Sequence, residues 1–66
     1  MEWIRDEKFK ACGTRGVLRV ADGRELFRVC CATCETAGGE IFERRELATA
    51  AAVRQSGRRC PNCGAD

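Results

Sequence analysis

Two cysteine pairs with the same two-residue gap, Cys31-Ala32-Thr33-Cys34 and Cys60-Pro61-Asn62-Cys63, constrain this 66-residue chain more than any other feature. Such a gap lets one tight turn aim both sulfurs at a single ion, while amides of the turn donate to the thiolates. Pro61 sets the backbone of the second turn, and Gly64 suits the positive φ that follows its last cysteine. Below about 70 to 80 residues an apolar core rarely contributes more than about 3 to 5 kcal/mol, so a chain of this length needs a covalent or metal staple. The sequence holds six cysteines and no histidine, so a metal site built from it is thiolate, carboxylates aside. Cys31, Cys34, Cys60 and Cys63 are therefore the expected ligands of one structural Zn2+ ion.

Other classes fall on the same reading. No run approaches the roughly 18 apolar residues of a membrane helix, and MEWIRDEKFK carries charges where a secretory signal has its apolar stretch. The expectation is one soluble cytoplasmic domain over residues 1–66, without a membrane partner. In a reducing compartment paired cysteines serve as ligands or redox groups rather than as structural disulfides. The formal net charge is +2, and four thiolates around a divalent ion bring the loaded protein near zero. Bulk charge thus points to no partner, although ten of the twelve basic residues are arginine, the better bidentate group for phosphate and carboxylate.

Three segments follow along the chain. Residues 1–12 read as a short strand or arm that packs Trp3 on the body. Residues 14–31 read as a hairpin, because Asp22-Gly23 stands between two β-branched and aromatic runs. A two-residue type I′ turn there pairs 21 with 24 and 20 with 25. That register puts Leu18, Val20, Phe27 and Val29 on one face and Arg15, Arg19, Arg24 and Arg28 on the other, with Val17 and Leu26 among the arginines. Residues 31–64 form the metal-binding unit. Gly38-Gly39 predicts a bend or bulge before a short strand at 40–42. ERRELATAAAVRQS predicts a helix over 43–56, begun by Glu43 and Glu46, ended by Gly57, and apolar along Leu47, Ala50 and Ala51 with Val53 at the edge. The 25 residues between the pairs then close geometrically: a strand over 36–42 travels about 23 Å away, and an antiparallel helix returns about 21 Å.

With FRVCCATC followed by RRCPNCG, residues 27–64 resemble the zinc-ribbon class, especially small bacterial and phage proteins such as the FmdB-like regulators. The resemblance implies an α+β zinc ribbon of three to four antiparallel strands with one C-terminal helix between two metal knuckles. Two features depart from the pattern. Glu35 stands where a glycine often follows the first pair, and the inserted helix is absent from a minimal ribbon. Strand alternation places Cys31 on the face of Phe27 and Val29 and Cys30 on the arginine face, which makes Cys31 the ligand and Cys30 a free thiol. Cys12 reads as a small buried apolar residue that could reach the first knuckle near Thr33 and stand in for a ligand.

The functional expectation is a binding module and not an enzyme. Neither a serine-centred triad nor a histidine is present, and four ligands leave the metal no open position for water. Cys60-Pro61-Asn62-Cys63 superficially resembles a glutaredoxin motif, but a thiol-oxidoreductase role lacks the following helix that would stabilise a nucleophilic thiolate. A rubredoxin-like iron carrier would use the same tetrahedron, but the chain has no tyrosine and no aromatic core of that kind. The leading expectation is a regulator in nucleic-acid transactions that tracks phosphates with Arg15, Arg19, Arg24 and Arg28, extended by Arg58 and Arg59. The alternative is an adaptor or inhibitor docking on a larger protein, since Val17, Leu26 and Trp3 interleave with the arginines. No small-molecule substrate is expected.

Overall fold

The computed structural model describes residues 2–64; Met1, at the start of the predicted arm, and Ala65 and Asp66, beyond the second knuckle, lie outside the described residues. Strand β1 (Trp3–Arg5), β2 (Arg15–Val20) and β3 (Phe27–Cys31) form one antiparallel sheet in the order β1-β2-β3, and helix α1 (Arg45–Gln55) covers one face. This is a small α+β fold, with the arm docked as the predicted strand. β2 is the central strand and is buried on both sides, as its run RGVLRV requires.

The hairpin register differs from the predicted one by a residue. Arg15 pairs with Cys31, Val17 with Val29 and Arg19 with Phe27. The cause lies in the turn. A type I′ turn needs positive φ at both central residues, but of the Asp22-Gly23 pair only Gly23 adopts it (φ 92°). The connection is a longer loop, closed by Val20 N–H on the Leu26 carbonyl (3.3 Å) and by Arg24 N–H on the Asp22 carboxylate (3.1 Å). One residue of slip exchanges the faces of one strand relative to the other. Arg15, Val17 and Arg19 therefore share the helix-covered face with Phe27, Val29 and Cys31, while Leu18 and Val20 lie opposite with Arg28 and Cys30. On that second face Trp3 stands beside Val20 and Arg5 beside Leu18, and the Arg28 guanidinium lies 5.2 Å from the Trp3 ring.

The core between sheet and helix consists of Val17, Phe27, Val29, Ala48, Ala51 and Ala52, with Phe9 and Phe42 at its margin. The buried stripe of α1 is thus Ala48, Ala51 and Ala52, not the predicted Leu47, Ala50 and Ala51; Leu47 and Val53 are half exposed. Alanines at these positions let the helix axis lie close to the sheet. α1 begins two residues later than predicted, because Phe42 is held extended by paired hydrogen bonds with Phe27 (2.8 Å each) and Arg44 remains extended (φ −135°). The segment before it carries bridges rather than the predicted continuous strand: Ala37 pairs with Cys30 and Phe42 with Phe27. More residues intervene on this side than on β3, and the excess is taken up around Gly38-Gly39, the predicted bulge.

One ion pair pins the helix to the strands. Asp6 follows β1, its side chain is 1% exposed, and it accepts from Arg45 Nε at 2.7 Å and from Nη2 at 3.3 Å. Burial pushes the Asp6 carboxyl up, but the Arg45 hydrogen bond, the Lys8 amide and the charges of Arg45 and Arg19 together hold it below its ordinary value. A depressed folded pKa means that the stabilisation is complete above the unfolded value near 4 and is lost only as pH falls through the folded one. Asp6→Asn should cost about 1.5 to 3 kcal/mol in denaturant titrations of the metal-loaded protein. The same penalty is expected at pH 7 and pH 5, and a penalty that has largely vanished by pH 5 would show that the pair does not act as described.

Candidate metal centre

The end of β3 supplies the first knuckle and the chain after α1 the second. β3 alternation turns Cys31 toward the helix-covered face, and the tight turn 32–34 returns Cys34 to the same side. Beyond α1, the turn 61–63 does the same for Cys60 and Cys63. The two turns are alike in detail: Glu35 N–H bonds to the Cys31 carbonyl and Gly64 N–H to the Cys60 carbonyl, both at 2.9 Å. Each is followed by a left-handed residue, Glu35 (φ 62°) and Gly64 (φ 77°). Glu35 thus takes the glycine conformation despite its side chain, and an ion pair with Arg5 at 3.3 Å accompanies it. Since a non-glycine residue in this conformation costs about 1 kcal/mol, Glu35→Gly should leave stability unchanged or raise it by up to about 1 kcal/mol; a clear loss in thermal denaturation would show that the Arg5 pair outweighs the strain.

The four sulfurs all lie within 4.8 Å of one another. The Cys31–Cys63 separation is 3.6 Å and the Cys34–Cys60 separation 3.7 Å. A tetrahedral ion with bonds of about 2.3 Å to sulfur requires edges of about 3.8 Å, so the donor set fits one ion. All six cysteines are free thiols. Four cysteines are therefore placed to hold a metal, and they are the four that the spacing predicts.

Supporting groups lower the pKa of two of them. Cys31 Sγ accepts from the Cys34 and Thr33 amides at 3.5 and 3.4 Å, which lowers its pKa against the opposing effect of burial. Cys34 is held down to about 5 by the Thr36 hydroxyl at 3.2 Å, then by Asn62 Nδ2 at 3.4 Å and by the Thr36 amide. Asn62 also donates to Thr36 Oγ1 at 2.9 Å, so a residue inside the second knuckle braces a ligand of the first. Thr36 and Asn62 do not announce themselves in the sequence. The only signal is that Asn62 occupies a gap position of a ligand pair.

Arg15 pairs opposite Cys31 on the same face, is 8% exposed, and its Nε is buried without a hydrogen-bond partner. It lines a half-open cavity of about 240 Å³ with Gln55, Cys31, Cys60 and Pro61. Arg15 thus shares this cavity with two of the four clustered cysteines instead of standing on an outer face. Thr14 anchors the approach to Cys60. Its amide bonds to the Ser56 carbonyl (3.1 Å), and its hydroxyl lies 3.0 and 2.9 Å from the carbonyls of Ser56 and Arg58.

The predicted arginine face is not assembled. Besides the buried Arg15, Arg19 lies on the helix-covered side and pairs with Glu7 at 3.3 Å, Arg24 pairs with Asp22 in the loop at 3.3 Å, and Arg28 is on the opposite side with its Nε 3.0 Å from the Gly38 carbonyl. Val17, expected among them, is core. The register slip accounts for all of this. Arg58 and Arg59 are exposed, next to the second knuckle. Cys30 is buried rather than displayed, and burial raises its pKa, so it remains a thiol. Cys12 bridges to Arg15 at the turn before β2 and is not part of the four-sulfur cluster.

A three-stranded antiparallel sheet, one helix and a cluster of four thiols make this a small α+β fold of zinc-ribbon type. Comparison with protein-family models, with curated proteins and with solved structures finds no match to the chain. Among the described residues, no helix is long and apolar enough to cross a membrane.

Proposed function

We propose that the chain is a zinc-stabilised binding module that acts as a small regulator in nucleic-acid transactions, as the resemblance to zinc-ribbon regulators implies. The sulfur separations of 3.6 and 3.7 Å carry the first part, since they match a tetrahedral four-thiolate shell. Such a shell is closed to water and supports a structural ion rather than a catalytic one. Bound zinc would carry a net charge of −2 with its thiolates. Elemental analysis of colourless protein should find one zinc per chain; a coloured protein with stoichiometric iron would favour the rubredoxin-like alternative.

The partner surface moves from the hairpin to the C-terminal end of α1. Residues 47–64 contain Arg54, Arg58 and Arg59 and no carboxylate, and all three arginines are exposed. These three exposed arginines support contact with phosphates. For about three phosphate contacts, log affinity for an oligonucleotide should fall with log salt at a slope of about −3. Replacing Arg58 and Arg59 together by serine should weaken binding about tenfold and flatten that slope by about 2. Native partners that are captured equally with and without nuclease, and at high salt, would favour the adaptor reading instead.

A further inference from the structure

Helix α1 turns its smallest side chains inward and its largest apolar ones outward. Leu47 and Val53 are 52% and 53% exposed, whereas Ala48, Ala51 and Ala52 are buried. At about 100° per residue, Ala50, Val53 and Glu46 lie on the side away from the sheet, with Leu47 and Arg54 along its flank. Alanines inward let α1 lie close to the sheet, and they leave the two largest apolar side chains of the helix at the surface.

The order of these residues is symmetric about Ala50. Leu47 and Val53 stand three residues to either side of it, and Glu46 and Arg54 four. An antiparallel copy laid across this face with its two-fold axis at Ala50 brings Leu47 of one chain level with Val53 of the other, about 4.5 Å along the helix from the axis. Glu46 and Arg54 of opposite chains come level about 6 Å from it. A parallel copy would instead set like charge against like. Ala50 at the centre allows the helix axes to approach to about 8 Å, and neither Glu46 nor Arg54 has an ion-pair partner among the described residues.

We propose that this face of α1 binds a second copy of the chain, forming an isologous antiparallel helix pair centred on Ala50, with Leu47 and Val53 as its apolar contacts and two symmetry-related Glu46–Arg54 ion pairs at its ends. The proposal is independent of the identity of the metal; it shares Arg54 with the phosphate surface suggested above, so the two partners compete for that residue. One face of a short helix buries well under the roughly 800 Å² per partner of a standard interface, so the dimer is weak and dissociates on the order of 0.1 mM.

Sedimentation equilibrium of the metal-loaded protein from about 0.01 to 1 mM tests this. A monomer–dimer equilibrium is expected in that range. Glu46→Arg alone faces arginine with arginine, Arg54→Glu alone faces glutamate with glutamate, and each should weaken self-association about tenfold. Mixed in equal amounts, the two variants restore opposite charges at both ends and should associate as tightly as the parent. Both positions are exposed, so unchanged circular dichroism confirms that the helix persists. A protein that stays monomeric at about 1 mM, a dimer indifferent to Glu46→Arg, or a mixture no tighter than its components would overturn the proposal.

Discussion

Removing the metal with a chelator should collapse the far-ultraviolet circular dichroism of the protein to that of an unfolded chain, and returning zinc should restore it. The expectation follows from what the core lacks. Three of the six residues between sheet and helix are alanines, the bulk there is limited to Val17, Phe27 and Val29 with the margins of Phe9 and Phe42, and the other face adds only Leu18, Val20 and Cys30. A core of this size contributes about 3 to 5 kcal/mol, against apparent zinc contributions of about 10 to 16 kcal/mol in zinc-finger peptides near neutral pH. A bound metal would also join the end of β3 to the chain beyond α1, which are otherwise linked by the hydrogen bonds of Thr14 and Asn62. Without it, Cys34, with a pKa of about 5, brings negative charge into a cluster less than 5 Å across. Cys60→Ser, which removes one buried ligand, should resemble the chelated protein. A spectrum unchanged by chelation, with metal loss confirmed by elemental analysis, would show that the sheet and helix stand without the ion.

Local chemistry was legible in the sequence, and long-range consequences were not. The ligand set follows from spacing alone, because a two-residue gap has few ways to present two sulfurs. Helix α1 and the bulge at Gly38-Gly39 follow from propensity and from the strand-breaking role of glycine. The hairpin register depends on the φ of Asp22, a single dihedral angle that the sequence leaves open, and one residue of slip moved Val17 into the core and dispersed four arginines. The buried side of α1 was misread for a related reason. Leu47 and Val53 are the most apolar residues of the helix, yet Ala48, Ala51 and Ala52 are the ones packed with Val17 and Val29. Contacts between distant segments, such as Asp6 with Arg45 or Asn62 with Cys34, left no trace in residue spacing.

Gly13→Ala should be the most damaging single change outside the ligands, costing about 2 to 4 kcal/mol. Gly13 opens the turn that carries Thr14 and has φ +58°, where a side chain alone costs about 1 kcal/mol. A methyl group built there would stand 2.5 Å from the Ser56 carbonyl oxygen and 3.2 Å from the carbonyl carbon. That oxygen is fixed by the Thr14 amide and adjoins the Thr14 hydroxyl, and the Thr14 carbonyl in turn accepts from Ala32 at 2.8 Å. Relief of the clash must therefore push the end of α1, and Cys60 behind it, away from the first knuckle. Gly23→Ala is the control that separates strain from collision. Gly23 has φ +92° and no atom within 4 Å of the added carbon, so its cost should stay near 1 kcal/mol. Denaturant titrations of both variants at one fixed free-zinc concentration make the comparison, because the apparent stability of a metal-bound fold depends on that concentration. Gly13→Ala should in addition lower zinc affinity, since folding and binding are one equilibrium here, whereas Gly23→Ala, at the far end of the hairpin, should leave it within about twofold. Equal losses in the two variants would mean that the Thr14 clamp gives way at no cost, and that the helix end is not what holds the second knuckle against the first.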